Sequence, residues 1–349
     1  MKACFAIPGD LNTPTGGYIY DRTVMGLLPA CGVTLRHLAL PDGFPTPSTA
    51  ALAETGRLLA EVPPDEVLVI DGLALGVLPP ALLERIAAPI IAMHHHPLGL
   101  ETGIAPEQGA ALLASEKAAT AFARHVIVTS QTTAEKLAEL GFAPPPPVTV
   151  AIPGITDGPR SAGSGGGGFE VIAVATVVPR KGYDILVAAL ARLRDEPWGC
   201  TIVGGLDRDI ACVDALRAQI AGLGLEDRIR FTGVLDNDAI NALYARSDLF
   251  ALPSRYEGYG MAFAGAMSRG LPILATNAPA IPSTVPPEAG ILVEPDNVEA
   301  FAAALLRLMR DPDLRRRLGD GGWAHAQTLP RWEGTAAIIA SVIKQVGAS

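Results

Sequence analysis

Residues 253–272 read PSRYEGYGMAFAGAMSRGLP, and they join a predicted strand to a predicted helix. The apolar run before them predicts a strand that ends at Pro253, and a helix is predicted to begin at Gly260. Between the two elements lie a carboxylate, Glu257, and a further glycine, Gly258. The amides of a helix N-terminus point outward and suit an anionic or polyhydroxylated ligand. Glu257 could orient ligand hydroxyls through charged hydrogen bonds, or it could act as an acidic N-cap of the helix.

Short apolar runs alternate with helical segments on both sides of this stretch, in two separate series. The alternation predicts parallel sheets with helices on both faces, and two such doubly wound α/β units account for a chain of 349 residues. Ligands of such sheets bind beyond the carboxyl ends of the strands. We therefore expect two Rossmann-like domains that face each other across a ligand-binding cleft. The predicted strands cover residues 2–7, 33–40, 67–72, 90–93 and 126–130 in the first series, and 169–176, 200–203, 229–232, 248–252, 272–275 and 290–293 in the second.

Proline and glycine mark the predicted domain boundaries. Prolines 144–147 break the first series, and the run SAGSGGGG at 161–168 has the composition of a flexible linker. No strand follows the last predicted helix, so we expect that helix to cross back to the first domain. The predicted parts are an N-terminal domain over 1–158, a linker over 159–168, a C-terminal domain over 169–330 and the last helix over 331–349.

The composition is that of a globular protein without a nucleic-acid partner. Hydrophobic residues make up 49% and charged residues 18% of the chain, and the formal net charge is −9. Residues 1–158 carry 8 Lys or Arg against 15 Asp or Glu, so we expect no basic patch for an anionic membrane surface there. No run approaches the ~20 apolar residues of a membrane span. The four cysteines show no paired spacing, which indicates reduced thiols and a cytoplasmic protein.

Two segments have features that suit a phosphate group. Residues 176–182 read TVVPRKG and open a predicted helix, so Arg180 and Lys181 could neutralise a diphosphate at its N-terminus. In the first series, the amides of Gly16 and Gly17 could approach a phosphate. The alternatives are an ordinary charged turn in the first case and a plain turn in the second.

Three consecutive histidines, His94, His95 and His96, follow the fourth predicted strand. Strand alternation would place His94 and His96 on one face and His95 on the other. Three roles are open: zinc ligands, one substrate-binding histidine that faces the cleft, or structural histidines bonded to carbonyl groups. The substrate role is favoured over zinc because no further residue shows metal-ligand spacing.

These segments, in this order and at this spacing, resemble those of retaining glycosyltransferases of family four, which have the two-domain GT-B fold. The resemblance covers nearly the whole chain, and the Pro-Arg-Lys-Gly version of residues 179–182 is similar to that of a bacterial branch. It implies that a sugar passes from a nucleoside diphosphate donor, of the UDP or GDP type, to an acceptor hydroxyl with retention. It implies no metal ion and no cofactor, and the leaving diphosphate would take the acceptor proton. The matching segments are 13–17, 94–97, 176–182, 204–205, 231–234 and 253–275.

The resemblance assigns roles to the matched positions. His95 or His96 would contact the sugar near the reacting carbon, and Glu257 would hold the donor sugar, so these three are the catalytic candidates. Arg180 would supply the charge that the family usually has at the position of Thr176. The donor-binding candidates are Gly16, Gly17 and Lys181 at the diphosphate, Val234 and Leu235 near the nucleobase, and Thr176, Arg180, Gly204, Gly258, Tyr259, Gly260, Met261 and Gly265.

The acceptor implied by the resemblance is a small molecule, a polysaccharide or a lipid-linked compound. The segment 98–103 follows the histidines, and its Glu101 and Thr102 are our acceptor-side candidates. The alternative for this segment is a simple loop.

Gly265 departs from the family pattern, which has a glutamate there that binds the ribose hydroxyls of the donor. Losing one charged hydrogen bond costs about 1.5 to 3 kcal/mol, or about 10- to 100-fold in donor affinity. Another group could bind the ribose, the donor could be unusual, or the substitution could be engineered. The protein could also be a weakened or inactive homologue that acts as a binding protein.

A nicotinamide-dependent oxidoreductase is a further interpretation of doubly wound units. The sequence disfavours it, because residues 8–10 read Pro-Gly-Asp where that class has a Gly-x-Gly-x-x-Gly turn.

Overall fold

The computed structural model describes residues 1–142 and 147–348. It divides into two compact units, one formed by Met1–Gly154 with the chain from Pro330 onward, and one formed by Ile155–Leu329. Each unit contains a six-stranded sheet with parallel strand pairs. The prediction of two doubly wound α/β units is confirmed.

The sheet of the first unit has the strand order β2-β1-β3-β4-β5-β6. Strands β3 and β4 are buried along their whole length, which explains apolar runs without polar alternation. The strand order reverses at the pair β1 and β3, and ligands of such sheets bind beyond the carboxyl ends beside the reversal. The elements are β1 (Lys2–Pro8), α1 (Gly16–Leu27), β2 (Thr34–Leu40), α2 (Thr49–Ala60), β3 (Val67–Asp71), α3 (Gly72–Leu75), α4 (Pro80–Leu83), β4 (Ile90–His94), α5 (Pro106–Thr120), β5 (His125–Val128), α6 (Gln131–Glu139) and β6 (Val148–Val150).

Strand β6 adds one strand to those predicted from the sequence. It has three residues and follows the proline run, of which residues 144–146 lie outside the described part of the chain. Three residues are too few to show a period of two, so this strand gives no signal of its own.

The sheet of the second unit has the strand order β12-β11-β10-β7-β8-β9. Its order reverses at the pair β10 and β7, so the loops after these two strands lie where a ligand is expected. The elements are β7 (Phe169–Val174), α7 (Tyr183–Ala191), β8 (Trp198–Val203), α8 (Ile210–Gly222), β9 (Ile229–Gly233), α9 (Asn237–Ala245), β10 (Leu249–Leu252), α10 (Met261–Met267), β11 (Ile273–Thr276), α11 (Ile281–Thr284), β12 (Gly290–Val293), α12 (Val298–Arg310) and α13 (Pro312–Ala326).

The glycine-rich segment at 159–168 is bound to the second unit. The amide of Ser161 donates to the carbonyl of Arg269 at 2.7 Å, so this segment differs from the flexible linker expected from its composition. The chain passes between the two units at 154–155 and again at 329–330.

The last helix, α14 (Trp332–Gly347), belongs to the first unit. Ile339 and Ile343 of this helix are fully buried. The hydroxyl of Thr335 donates to the carbonyl of Ile152 at 2.8 Å, which fixes the start of the helix against the end of β6.

Across residues 1–142 and 147–348, we find no helix with the combined length and apolar character of a membrane span. The four cysteines are free thiols.

Candidate functional site

The second unit brings together the three charged residues that the sequence analysis selected. The Lys181 ammonium donates to Glu257 Oε1 at 2.7 Å, and Arg180 Nη1 lies 3.6 Å from Glu257 Oε2. Arg180 also donates to the carbonyl of Tyr256, and the hydroxyl of Ser254 donates to Glu257. Arg180 and Lys181 follow β7 while Glu257 follows β10, so the cluster lies beside the reversal of strand order.

Glu257 is a buried carboxylate that stays ionised. Its exposed fraction is 6%. Burial alone would raise its pKa, but Lys181 and Arg180 outweigh the burial and hold the pKa below its usual value. The cluster therefore presents a fixed negative charge between two fixed positive charges.

Gly182 explains how Lys181 comes so close to the loop after β10. It adopts a left-handed conformation at φ +69°, and a Cβ atom there would lie 2.0 Å from the carbonyl oxygen of Pro253. Only glycine fits such a close approach of two backbone segments. Pro179 begins the short 3₁₀ turn before it, where its fixed φ suits the first helical position.

Arg255 ties the turn that carries the two cations to the rest of the unit. Its guanidinium pairs with both carboxylate oxygens of Asp184 at 3.0 and 2.7 Å, and it donates to the carbonyl of Pro179 at 2.6 Å. Its Nε donates to Asp296 at 2.7 Å, and its amide donates to the carbonyl of Arg180 at 2.8 Å. These bonds fix the backbone of Arg180 relative to the loop that carries Glu257.

Other donor-binding candidates lie at the same edge of this sheet. Gly204 follows β8, and a Cβ atom there would lie 2.1 Å from the carbonyl oxygen of Ala175, next to Thr176. Val234 and Leu235 follow β9, the strand beyond β8, and Val234 is 54% exposed. Strand β9 lies two strands away from β7, and the loop after β7 carries Arg180 and Lys181.

The start of α10 carries the remaining candidates of this unit, Gly258, Tyr259, Gly260, Met261 and Gly265. Gly260 is the N-cap in a left-handed conformation at φ +93°, and no side chain caps the helix. Burial raises the pKa of Tyr259 to about 12. A Cβ atom on Gly265 would meet no described atom within 4 Å, so a side chain has open space there.

The first unit builds a second cluster from His95 and two aspartates. His95 Nε2 lies 3.2 Å from Asp21 Oδ1 and 3.4 Å from Asp71 Oδ2. Asp71 ends β3, His95 follows β4 and Asp21 lies on α1, so three elements converge beside the reversal of this sheet. The ring of Tyr20 meets the imidazole edge to face at 5.4 Å.

The two carboxylates keep His95 positively charged. Burial alone would lower the pKa of His95, but Asp21 and Asp71 raise it to about 10. Burial raises the pKa of Asp21 to about 7, although the charge of His95 opposes that shift. The two aspartates therefore favour the protonated form of His95, and its Nε2 faces both of them.

Donor atoms of Asp21, Asp71 and His95 lie within 4.8 Å of one another, so these residues could hold a metal ion. A protonated His95 offsets one of the two carboxylate charges in the cluster.

The three histidines have three different environments. His94 is fully buried, with Nδ1 3.1 Å from Glu116 Oε1 and Nε2 3.1 Å from the hydroxyl of Thr120. His96 Nε2 lies 3.4 Å from Glu101 Oε2. The strand alternation that would place His94 and His96 on one face does not apply, because β4 ends at His94.

Gly16 and Gly17 begin α1 next to the histidine cluster. A Cβ atom on Gly17 would lie 3.2 Å from His95 Cδ2, so the missing side chain lets the imidazole approach the helix.

The acceptor-side candidates lie in the loop before α5. The amide of Thr102 donates to Glu101 Oε1 at 3.1 Å. Glu101 also borders a cavity of about 330 Å³, together with Leu100, Ile104 and Leu113. The segment is thus a cavity wall as well as a loop.

Each of the two units matches the model of a known protein family. Residues 157–323 match the family model of glycosyl transferases group 1, and residues 12–154 match that of the glycosyl transferase 4-like domain. The chain is a glycosyltransferase of the family 4 type. It is therefore an enzyme of the class that transfers sugars.

Several characterised proteins are similar to this glycosyltransferase in sequence. The MMP alpha-(1->4)-mannosyltransferase of Mycolicibacterium hassiacum is 29% identical over 328 residues, which are 87% of this chain and 76% of that protein. The GDP-mannose-dependent alpha-(1-6)-phosphatidylinositol monomannoside mannosyltransferase of Mycobacterium tuberculosis is 33% identical over 50% of this chain and 47% of its own length. The D-inositol 3-phosphate glycosyltransferase of Corynebacterium glutamicum is 33% identical over 48% of this chain and 41% of its own length. The chain thus spans less than half the length of the last two relatives.

Solved structures share the fold of the glycosyltransferase. Sucrose-phosphate synthase from Thermosynechococcus elongatus superposes with a TM-score of 0.82 at 23% identity, covering 99% of both chains. Anabaena HepE in complex with UDP and glucose superposes with a TM-score of 0.79 at 21% identity, covering 99% of this chain and 100% of that one. The two Rossmann-like domains are those of the GT-B fold.

Sequence reasoning missed three residues of the two clusters in this glycosyltransferase. Asp21 and Asp71 are separated from His95 by 74 and 24 positions in the chain, and Arg255 is separated from Asp184 by 71. The position of Asp71 at the carboxyl end of β3 was the available signal. Neither Asp21 nor Arg255 has a local pattern that identifies its partner.

Proposed function

We propose that the glycosyltransferase moves a sugar from a nucleoside diphosphate sugar to an acceptor hydroxyl, with retention and without a metal ion or cofactor. The observation that carries the proposal is the meeting of Arg180, Lys181 and Glu257 beside the strand reversal of the second unit. Two partly buried cations suit a diphosphate, and a buried carboxylate suits sugar hydroxyls.

The chemistry needs charge stabilisation more than a separate base. The bond between the anomeric carbon and the diphosphate oxygen breaks, and Arg180 and Lys181 neutralise the charge that develops on that oxygen. The acceptor oxygen bonds to the anomeric carbon on the same face, and its proton passes to the leaving diphosphate. His95 is a cation whose ring can donate a hydrogen bond to a substrate oxygen while Nε2–H faces Asp21 and Asp71.

The donor nucleotide in this proposal is UDP or GDP. One relative is named as GDP-mannose-dependent, and one structural neighbour is in complex with UDP and glucose. The acceptor is a small molecule, a polysaccharide or a lipid-linked compound.

Titration calorimetry with UDP and GDP tests the donor site. Lys181→Met should weaken binding by about 10- to 100-fold, because it removes a charged hydrogen bond to the diphosphate. Lys2→Met is the control, since Lys2 is an exposed residue at the amino end of β1 and its ion pair with Asp65 is also exposed. Absence of binding to both nucleotides at millimolar concentration would refute the proposal.

The second candidate is a weakened or inactive homologue that acts as a binding protein, and Gly265 favours it. The open space at Gly265 makes the test direct. If ribose recognition is missing, Gly265→Glu should raise nucleotide affinity and turnover. Gly222→Glu is a matched control, because Gly222 ends α8 and a Cβ atom there also meets no described atom within 4 Å. Robust turnover by the unmodified protein would exclude this second candidate.

A further inference from the structure

The carboxyl edge of the first unit's sheet carries acids in the segments that follow its strands, and helix α1 adds Asp21. Asp10 and Asp42 are exposed, Asp71 and Asp21 are buried, and Glu101 is partly exposed. The corresponding sequence contains no Lys or Arg in the ranges 8–21, 41–56, 71–84, 94–116 and 129–135. These ranges begin at the carboxyl ends of β1 to β5, where ligands of such sheets bind.

Three basic groups near this edge, Arg22, His95 and His96, face oxygen atoms of the protein. Arg22 Nη1 donates to the carbonyl of Leu11 at 2.7 Å. His95 faces two aspartates at 3.2 and 3.4 Å, and His96 lies 3.4 Å from a Glu101 oxygen. A phosphate ester at this edge would meet the negative charges of Asp10, Asp42 and Glu101, with no Lys or Arg in the same segments to offset them.

The cavity beside Glu101 is of a size for a small polar compound. Its volume is about 330 Å³, which lies at the lower end of the range for small-molecule sites. The carboxylate oxygens of Glu101 can accept hydrogen bonds from ligand hydroxyls, while Leu100 and Ile104 line the cavity with apolar side chains. An uncharged ligand with several hydroxyls satisfies this lining.

We propose that the acceptor bound by the first unit is an uncharged polyhydroxylated compound, and that its phosphate esters are poor acceptors. The proposal rests on the proposed sugar transfer and names the acceptor class for it. It sets this chain apart from the relatives whose names carry a phosphate, such as the D-inositol 3-phosphate glycosyltransferases.

The experiment compares acceptors in matched pairs, each a polyol and its phosphate ester: inositol and inositol 3-phosphate, fructose and fructose 6-phosphate, glucose and glucose 6-phosphate. Release of the nucleoside diphosphate from the donor is measured for each member with the full chain. At least one neutral member should show a kcat/KM at least 10-fold above that of its ester. Use of esters in preference to neutral members, or use of no neutral member by a protein that binds the donor nucleotide, would overturn the inference. Failure to bind UDP or GDP would instead refute the proposed function.

A substitution at Glu101 tests whether this cavity is where neutral acceptors are distinguished from their phosphate esters. Glu101→Gln removes the charge at the cavity and should raise the ester-to-neutral ratio of kcat/KM several-fold. Glu139→Gln is the control, since Glu139 ends α6 and pairs with Lys136 on the same helix. An unchanged ratio in Glu101→Gln would contradict the placement of the acceptor at this cavity.

Discussion

His95 shows how single charges set the chemistry of the first unit. Asp71 faces the imidazole with Oδ2, while its Oδ1 accepts the amide of Leu73 at the start of α3. The substitution Asp71→Asn keeps a side-chain oxygen that can accept the amide of Leu73. It removes one of the two negative charges that face the histidine. The pKa of His95 should then fall from about 10 toward its ordinary value.

The measurement is an NMR titration of the imidazole Cε1–H of His95, with His37 as an internal reference because only burial shifts its pKa. A histidine whose pKa is raised on folding stabilises the fold below pH 6.5, and this stabilisation is lost as pH rises toward about 10. The unmodified protein should therefore lose stability across that window, and Asp71→Asn should lose less. Titration of His95 near pH 6.5 in the unmodified protein would contradict the charge assignment.

At the residue scale, the sequence selects side chains that the fold makes neighbours where chemistry and position coincide. Arg180, Lys181 and Glu257 were selected because each lies just beyond a predicted strand, and the structure brings them together. Their assignment to donor binding stays a prediction. Asp21 could not be selected, because it lies in mid-helix and gains its role only from the fold that brings His95 to α1.

The turn between β7 and α7 is the element on which the proposed donor site depends. Arg255 fixes this turn through the carboxylate of Asp184 and the carbonyl of Pro179. Arg255→Lys keeps a positive charge but loses the two parallel bonds to Asp184, since an ammonium lacks the planar fork. Nucleotide affinity should fall at least about fivefold, because Arg180 and Lys181 would no longer be held in position. This fall corresponds to about 1 kcal/mol of binding free energy.

The control for the turn is Arg192→Lys, which changes an exposed ion pair with Glu299 between α7 and α12. Exposed pairs contribute little to stability, so this variant should bind nucleotide like the unmodified protein. Calorimetry gives the affinities, and a thermal melt checks that Arg255→Lys remains folded. Equal nucleotide affinity in the two variants would show that Arg255 does not position the cations.

Elements were predictable where their own residues show a pattern, either a helical or strand period or a continuous apolar run. The buried strands β3 and β4 were found from their apolar runs. The glycine-rich segment at 159–168 has the composition of a flexible linker, but composition does not report the bond from Ser161 to Arg269, which depends on the folded second unit.

At the scale of the whole molecule, the chain returns to the first unit after completing the second. Helix α14 contributes buried side chains to that first unit, and Lys344 donates to the carbonyl of Cys31 at 2.7 Å. The stability of the first unit therefore depends on a segment that is far from it in sequence.

Two neighbouring isoleucines of α14 test this dependence. Ile339 is fully buried, whereas Ile338 is 38% exposed on the same helix. Ile339→Ala should destabilise the first unit by about 2 to 5 kcal/mol, because it removes buried methyl groups and leaves a cavity. Ile338→Ala, the control, should change stability by less than about 1 kcal/mol. Hydrogen exchange read by mass spectrometry should show faster exchange in β1 to β5 of Ile339→Ala, while β7 to β12 stay unchanged. Equal effects of the two substitutions would contradict the assignment of α14 to the first unit. A loss of protection confined to the second unit would contradict it as well.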